Sequence, residues 1–414
     1  MSFNSIIITI GDELLIGQTI DTNSAWIAQQ LNKIGINIKR RIAVADEAMA
    51  ISEALDESIP FADIIFLTGG LGPTADDITK PLLCDYFGGN LVMNETVLQH
   101  VQQIFAKRNR PFLDRNSKQA EVPDNCQVLF NRMGTAPGMW FEKDNCIIIS
   151  LPGVPFEMQT IVSEEVLPRL KERFKGNYIY HKTLMTIGVG ESFIAEKIED
   201  IENALPANIH LAYLPTPGFV KLRLTSEGTD KAKVENEVDI RAELIMQRLG
   251  NIVAATEDIP LEEIVARAAK EHRITIGLAE SCTGGYVANK LTDLAGSSSF
   301  FKGSIVCYAN EVKENLLKVP KSILETVGAV SQETVIQMAE QARKVLNVDV
   351  ALSISGILGP GGATAEKPVG LVWMAIVSAN RTESKQFNFF YDRARNKEMA
   401  ANAALNMIRL FVAE

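Results

Sequence analysis

The sequence has little of what zinc-binding and disulfide-linked proteins need. Its 414 residues include only five cysteines and four histidines. The cysteines are odd in number, widely scattered, and form no CxxC pair. Structural zinc sites and disulfide frameworks depend on closely spaced or evenly paired ligands. We therefore expect neither of them in this protein.

Long apolar runs are also missing. The longest, Gly370 to Val377, is far shorter than the roughly 18 residues that a membrane span requires. The amino-terminal segment reaches Asp12 and Glu13 without a basic region before them, which is typical of a buried strand and not of a signal peptide. We expect a cytoplasmic protein without a membrane partner.

Clusters of positive charge are absent as well. The chain carries 51 acidic residues against 41 lysines and arginines, for a formal net charge of −10. Sequence-independent binding to DNA or RNA needs clustered lysine and arginine side chains that neutralise phosphates. The composition therefore predicts no direct contact with nucleic acid.

The order of apolar runs and amphipathic patterns predicts an α/β protein of three domains. Residues 1–174 alternate β-branched runs with helical patterns, which is typical of a doubly wound parallel sheet. Residues 175–256 read strand, helix, two strands and helix, which predicts a small α+β linking domain. Residues 257–414 predict an α/β carboxy-terminal domain. Its strands are expected at 274–279, 303–308, 348–354, 369–378 and 385–391, before a closing helix at 395–412.

A glycine-rich loop at 68–77 follows the buried strand predicted at 63–68. Open α/β sheets bind ligands at such strand-to-helix turns. Glycines let backbone N–H groups approach an anion, and the following helix adds its partial positive charge. The candidate substrate-binding residues are Gly69, Gly70, Gly72 and Thr74.

Acidic residues follow that loop directly. Asp76 and Asp77 would repel a bare phosphate, but together with Asp12 they could hold a divalent metal ion that bridges to one. The alternative is that Asp76 caps the helix while the glycines only make a tight turn. The sequence favours the ligand site and does not identify the metal.

Ser281 stands in the segment AESCTGG, between a predicted strand and a helix. A serine there can present its hydroxyl over the sheet edge, with the N–H groups of Thr283, Gly284 and Gly285 as an oxyanion hole. No histidine lies near in sequence. Lys313 is the better candidate base, because a desolvated lysine can lose its proton near neutral pH.

Each of these residues also has an ordinary structural interpretation. Ser281 could be a helix N-cap, Cys282 a small buried side chain, and Lys313 a solvated helix residue. Cys282 is also the rival nucleophile, ranked second because it has no histidine partner. Tyr308, which precedes Lys313, could relay or orient a proton.

A second glycine loop follows the strand predicted at 348–354. Its serines and free N–H groups suit a phosphate or a ribose, and the candidates are Ser355, Gly356, Gly359 and Gly361. Arg393 follows the last predicted strand, where its guanidinium could hold a phosphate or support the surroundings of the serine. A surface ion pair is the alternative for Arg393.

These motifs resemble those of the competence/damage-inducible protein A (CinA) family, in the family's order. The amino-terminal ones are IGDELLIGQTIDTNSAWIAQQL (10–31), TGGLGPTADDITK (68–80), GTAPG (134–138) and LPGVPFEM (151–158). They are similar to a molybdopterin-binding-like domain. AESCTGG, GSIVCYANEVK, GAVSQET, SGILGPGGATAEKPVG and the Asp-Arg pair resemble the carboxy-terminal domain. Arg132 and Tyr391 depart from the proline and glycine that are usual before GTAPG and before the Asp-Arg pair.

The resemblance implies an enzyme that hydrolyses nicotinamide mononucleotide (NMN) to nicotinate mononucleotide and ammonia. It implies Ser281 as nucleophile and Lys313 as base, with Tyr308 and Arg393 in support and no cofactor in that domain. It also implies metal-dependent cleavage of ADP-ribose in the amino-terminal domain, and a homodimer.

Two alternatives stay open. The first domain could only bind a pterin or a nucleotide. The whole protein could instead be a non-enzymatic partner of a competence or recombination protein.

Overall fold

In a computed structural model that describes residues 3–74 and 77–413, the chain forms two compact units. One comprises the chain up to Tyr180 together with Ser226–Glu237, and the other comprises His181–Thr225 and the chain from Val238 onward. All five cysteines are free thiols. Within the described ranges, no helix combines the length and the apolar character that crossing a membrane demands.

The first 174 residues alternate strands and helices. The strands are β1 (Phe3–Ile10), β2 (Ile36–Val44), β3 (Ile64–Thr68), β4 (Leu91–Met93), β5 (Glu121–Pro123), β6 (Gln127–Leu129), β7 (Gly138–Lys143) and β8 (Cys146–Leu151). The helices are α1 (Asp12–Leu15), α2 (Thr22–Asn32), α3 (Ala48–Ser58), α4 (Thr79–Tyr86), α5 (Glu95–Lys107), α6 (Asp114–Ser117), α7 (Pro155–Ile161) and α8 (Leu167–Arg173). A π-helical stretch, Val162–Val166, joins α7 to α8.

The main sheet of the first unit has the order β2-β1-β3-β8-β7-β6. Its first four strands are parallel, and β7 and β6 add an antiparallel edge. Successive strand residues enter different cores: Ile7 and Phe66 lie in one, Ile8 and Leu67 in the other. Both faces are therefore covered, which explains the uninterrupted apolar runs. The predicted doubly wound class is confirmed, and the short antiparallel edge is an addition that the sequence pattern did not reveal.

The remaining elements run from Tyr178 to the end of the chain. A four-stranded sheet with the order β10-β11-β9-β12 is built from β9 (Tyr178–Ile187), β10 (Ile209–Thr216), β11 (Phe219–Gly228) and β12 (Val253–Ala255). Its helices are α9 (Glu191–Asn203) and α10 (Lys231–Leu249). A five-stranded sheet follows, made of β13 (Ile276–Glu280), β14 (Phe301–Val306), β15 (Val350–Gly356), β16 (Leu371–Val377) and β17 (Thr382–Asn388). The helices around it are α11 (Leu261–Glu271), α12 (Tyr286–Thr292), α13 (Asn310–Asn315), α14 (Lys321–Thr326), α15 (Gln332–Leu346) and α16 (Arg393–Ala413).

The five-stranded sheet has the order β14-β13-β15-β16-β17, with β13 parallel to both of its neighbours. One face packs against α15 through residues such as Met338, and the other against α11 and α16 through residues such as Val265 and Ile408. This layering confirms the α/β class predicted for the carboxy-terminal part.

Two strands of this sheet end earlier than predicted. β14 ends at Val306 and not at Tyr308, and β17 ends at Asn388 and not at Tyr391. The chain leaves β14 to enter α13. The Cys307 N–H still donates to the carbonyl oxygen of Glu280 at the end of β13 (2.8 Å), but β14 does not continue through Cys307 and Tyr308. Cys307 and Tyr308 therefore belong to a loop at the carboxyl edge of the sheet.

Gly35 provides a test of local packing in the first unit. Its backbone is left-handed (φ 81°), and an added Cβ would lie 2.0 Å from the carbonyl oxygen of Asn177. Gly88 is left-handed too (φ 69°), but no atom lies within 4 Å of its added Cβ. We expect Gly88→Ala to lower the free energy of unfolding by about 1 kcal/mol, and Gly35→Ala by about 3 kcal/mol because backbone must also move.

Urea denaturation followed by circular dichroism compares the two variants directly. Equal losses of stability would contradict the close approach of Gly35 to Asn177.

Candidate active site

Ser281 lies at the carboxyl edge of the five-stranded sheet. The last residue of β13, Glu280, pairs with Val306 of β14 and with Ile354 of β15. The Ser281 N–H then donates to the Ile354 carbonyl oxygen (3.0 Å), and the residue is only 7% exposed. The strand-to-turn transition thus fixes Ser281 at the edge where open α/β sheets bind ligands.

Lys313 of α13 reaches Ser281 from the side. Its Nζ donates to Ser281 Oγ (3.1 Å) and to the carbonyl oxygens of Cys307 (2.8 Å) and Tyr308 (3.2 Å). Only 1% of Lys313 is exposed. The structure therefore brings together the two residues that the sequence singled out, 32 positions apart, and Lys313 is not the solvated helix residue of the alternative interpretation.

The electrostatic surroundings of Lys313 favour the neutral amine. Burial lowers the pKa of its ammonium group, because the charged form loses hydration. The side chain's partners are a hydroxyl and two carbonyls, and none of the ion pairs found among residues 3–74 and 77–413 involves it. A lysine in this setting can accept a proton.

The neighbouring cysteines are poor nucleophiles. Burial raises the pKa of the Cys282 thiol to about 12 and that of Cys307 to about 11. Both thiols therefore remain protonated near neutral pH, and only the thiolate is strongly nucleophilic. The structure favours Ser281 over the rival Cys282.

Glu280 is a site residue that the sequence analysis missed. It is fully buried, and its carboxylate accepts five hydrogen bonds, from the turn after β13, from the start of α12 and from β14. The donors are the Thr283 hydroxyl (2.8 Å), the N–H groups of Gly285 (3.1 Å), Val287 (3.1 Å) and Ala288 (3.0 Å), and the Ser304 hydroxyl (3.0 Å). The available signal was an acid at the end of an otherwise apolar strand, since buried carboxylates occur almost only where they are paired.

These contacts change the expected oxyanion hole. The Gly284 N–H donates to the Ser281 carbonyl oxygen (3.1 Å), and the Gly285 N–H donates to Glu280. Both groups therefore hold the turn together and do not face a substrate. The N–H groups of Cys282 and Thr283 bond to no carbonyl in the described part of the chain. Thr283 is fully buried, so the Cys282 N–H is the donor left beside Ser281.

Arg393 and Tyr308 form the exposed rim of the site. Arg393, the first residue of α16, donates from Nη1 to the Gly359 carbonyl oxygen (2.7 Å) and from Nη2 to the Tyr308 hydroxyl (3.1 Å). Tyr308 is 60% exposed, and its backbone carbonyl accepts from Lys313. Arg393 thus bonds a carbonyl and a phenol, which differs from the surface ion pair of the alternative interpretation.

The second glycine loop divides into a packed part and an open part. The Ser355 hydroxyl is buried and donates to the Ala329 carbonyl oxygen (2.6 Å), and an added Cβ on Gly356 would lie 2.6 Å from Val372 Cγ2. These two residues secure β15. Gly359 is left-handed (φ 91°), and no atom lies within 4 Å of an added Cβ on Gly361. Gly359 is also buried, and an added Cβ on it would lie 2.7 Å from Val369 Cγ1. Of the four candidate residues, Gly361 is therefore the one that is open to a ligand.

In the first unit, the glycine loop after β3 is closely packed. An added Cβ on Gly69 would lie 2.3 Å from the Ile10 carbonyl oxygen. Asp77 Oδ1 accepts from the Gly72 N–H (2.7 Å), and Oδ2 accepts from the N–H (2.9 Å) and the hydroxyl of Thr74. Both oxygens of Asp77 therefore hold the loop itself.

The described carboxylates do not fit the expected divalent metal. Asp12 exchanges hydrogen bonds with Asp46 across α1 and the loop after β2, while Asp77 is occupied as above. Among the residues that the structure describes, no three histidine, cysteine or acidic side chains are grouped to hold a metal ion. Asp76 lies outside the described residues.

A small crevice nearby contains unsatisfied polar atoms. It measures about 130 Å³ and is lined in part by Asn23 and Thr68. Asn23 Nδ2 donates to Thr68 Oγ1 (3.1 Å) and to the Gly153 carbonyl oxygen (2.7 Å), but Asn23 Oδ1 is buried without a partner in the described chain. Thr79 Oγ1, which lies beside Gly70 and not in the crevice lining, is also buried without a partner in the described chain. Buried polar atoms of this kind call for a ligand or a water.

Comparison with known families accounts for three successive parts of the chain. Residues 6–172 match the probable molybdopterin binding domain, residues 181–253 the damage-inducible protein CinA KH domain, and residues 258–412 the CinA C-terminal domain.

Similar proteins cover almost the whole chain. A CinA-like protein of Cytophaga hutchinsonii is 45% identical over 403 residues, covering 97% of this chain and 96% of that protein. A CinA-like protein of Flavobacterium psychrophilum is 43% identical over 404 residues, covering 97% of both chains. A solved structure of a competence-damaged protein (CinA) superfamily protein from Klebsiella pneumoniae is 30% identical, covers 37% of this chain and 99% of that one, and has a TM-score of 0.36. The chain belongs to the CinA family.

Proposed function

We propose that this protein hydrolyses the carboxamide of NMN, giving nicotinate mononucleotide and ammonia, with Ser281 as the nucleophile. The observation that carries the proposal is the buried Lys313 amine, 3.1 Å from the Ser281 hydroxyl and without a carboxylate partner among the described residues. A carboxamide is a weak electrophile with a poor leaving group, so the site must activate a nucleophile and later protonate ammonia.

In the first half of the proposed reaction, Lys313 Nζ takes the proton of the Ser281 hydroxyl as Oγ attacks the carboxamide carbon. The N–H group of Cys282 is the donor available to the oxyanion. Lys313 then gives its proton to the departing nitrogen, the C–N bond breaks, and ammonia leaves an ester on Ser281.

In the second half, a water molecule attacks that ester and Lys313 takes its proton. The C–O bond to Ser281 then breaks, nicotinate mononucleotide leaves, and the proton returns to Ser281 Oγ. Whenever Lys313 is protonated, the carbonyl oxygens of Cys307 and Tyr308 accept from its ammonium group. The same lysine therefore serves as base and as acid in both halves.

The rim of the site suits the rest of the nucleotide. Arg393 uses two of its N–H groups on Gly359 and Tyr308, and a guanidinium has five. The remaining donors can bind a phosphate, the open turn at Gly361 allows close approach of a phosphate or ribose, and the exposed Tyr308 ring offers a stacking surface.

We expect Ser281→Ala and Lys313→Ala each to lower ammonia release from NMN by about a thousandfold or more. The two losses should not add in the double variant, because the pair acts as one unit. Ammonia release measured with a coupled dehydrogenase assay gives the rates.

Cys282→Ala is the matched control and should keep most of the activity, since the protonated thiol only packs. An active Ser281→Ala together with an inactive Cys282→Ala would contradict the proposal. A wild-type protein that releases no ammonia from NMN would favour the non-enzymatic role.

The lowered pKa of Lys313 predicts a pH dependence. Only the neutral amine can accept the serine proton, so kcat/KM for NMN should fall as the pH drops through this lowered pKa. Lys313→Arg should stay inactive over the whole range, because arginine does not lose its proton. A rate profile that rises only near about 10.4, the ordinary value for lysine, would contradict a buried base.

The first unit has a second candidate function. We propose that the crevice beside Asn23 binds part of a nucleotide, since Asn23 lines it and Asn23 Oδ1 is a buried polar atom without a partner in the described chain. ADP-ribose, cleaved with the help of a divalent metal ion, is the substrate that the family resemblance implies. Because the described carboxylates do not fit such an ion, the role left to Asp77 is to hold the anion-binding loop.

We expect Asp77→Ala to abolish metal-dependent release of AMP from ADP-ribose and to leave NMN hydrolysis intact, because Gly72 and Thr74 lose their acceptor. Asp114→Ala, an exposed acid on α6, is the control and should retain both activities. Equal loss of the two activities in Asp77→Ala would show that the sites depend on each other. Absence of AMP from the wild-type protein would leave ligand binding alone as the function of this crevice.

A further inference from the structure

The second unit contains a cavity that has no part in the proposed reaction. It measures about 710 Å³ and lies between the turn after β9, strand β17 and helix α16. None of its lining residues is Ser281, Lys313, Tyr308 or Arg393. Cavities of this size typically hold small molecules. We propose that it is a second ligand site, which binds an uncharged planar heteroaromatic ring with a hydrogen-bond donor and an acceptor side by side on one edge, such as a nucleobase or nicotinamide.

The cavity has aromatic walls. The rings of Phe387 and Phe389 lie nearly parallel, with an interplanar angle of 11° and centroids 5.9 Å apart. Phe219 and Tyr391 add two further rings to the lining. Flat aromatic ligands bind well on surfaces of this kind, through offset or edge contacts.

Two carboxamides on α16 provide a matched donor and acceptor. Asn402 and Asn406 are four positions apart and so lie on one face of the helix, and both line the cavity. Asn402 Nδ2 donates to the Pro217 carbonyl oxygen (3.3 Å), and Asn406 Oδ1 accepts from Arg409 Nε (3.0 Å). The described contacts leave Asn402 Oδ1 as an acceptor and Asn406 Nδ2 as a donor. An edge with one N–H donor and one acceptor, such as the amide of nicotinamide or the amino group and ring nitrogen of adenine, complements that pair.

The charges around the cavity disfavour a phosphate. Glu191, Glu383 and Lys385 belong to the lining. Glu383 pairs with Arg381, and the Lys385 ammonium lies 5.3 Å from the centroid of the Phe387 ring. The lining thus carries two carboxylates against one ammonium group, so a base or nucleoside should bind more tightly than the matching nucleotide.

One segment connects this cavity to the catalytic rim. Tyr391 lines the cavity, and Arg393, two residues later, contacts Tyr308. The Tyr391 N–H also donates to Asn396 Oδ1 (3.0 Å), while Asn396 Nδ2 donates to the Leu358 carbonyl oxygen (3.1 Å), next to Gly359. A ligand against Tyr391 therefore contacts the segment that positions Arg393, and we expect it to change KM for NMN more than kcat.

Calorimetric titration of the full-length protein with adenosine, nicotinamide and AMP tests the site without relying on turnover. We expect adenosine or nicotinamide to bind at one site per chain, and AMP about tenfold more weakly than adenosine. Ala403→Phe, which fills the cavity, should abolish adenosine and nicotinamide binding, and Asn406→Leu should weaken it about tenfold. Ala379→Phe, an exposed position outside the cavity, is the matched control and should bind normally.

Either of the following two results would overturn the inference of a second ligand site. Binding that survives both Ala403→Phe and Asn406→Leu but is lost in Arg393→Ala would locate the probes at the catalytic rim. No binding of any probe at about 10 mM would exclude the ligand class. Because heat of binding is the readout, this failure is distinct from a failure to release ammonia from NMN.

Discussion

The candidate active site depends on one unfavourable arrangement, in which Lys313 is buried without a carboxylate partner among the described residues. Removing an ammonium group from water is costly, and here only a hydroxyl and two carbonyls compensate for it. The neutral amine satisfies the same site at a lower cost. Burial thus lowers the pKa of Lys313, and the Ser281 hydroxyl is one of the groups that its amine contacts, which is the basis for proposing Lys313 as the base.

The rest of the carboxy-terminal sheet holds this contact in place. Ser281 follows the central parallel strand, whose two neighbours contribute the loop of Cys307 and the glycine turn of Gly359. Glu280, the residue before Ser281, accepts five hydrogen bonds. Lys313, which contacts the Ser281 side chain, has no charged partner among the described residues. The two buried ionisable side chains next to Ser281 therefore differ in their surroundings. The hydrogen bonds of Glu280 hold the backbone of the turn after β13, whereas Lys313 is the side chain that we propose to exchange a proton with Ser281.

Sequence patterns predicted the fold class well, because the six-stranded and the five-stranded sheets are each buried on two faces, and their strands appear as continuous apolar runs. The same patterns misjudged the ends of β14 and β17, where apolar residues such as Tyr308 and Tyr391 serve the site and the cavity instead of strand pairing. The motif AESCTGG indicated a strand-to-helix turn at Ser281, and the nearby segment offered Lys313 as a base. Which N–H groups stay free could not be predicted, since it depends on Glu280, whose partners include Ser304 from a neighbouring strand.

The protonation state of Lys313 is the central claim, and nuclear magnetic resonance of the full-length protein with ¹³C-labelled lysine measures it directly. The Lys313 ε-carbon signal, assigned by its absence in Lys313→Arg, should titrate below the range of the exposed lysines. A titration near about 10.4, together with those exposed lysines, would contradict the account, because the amine would then be charged when Ser281 has to lose its proton.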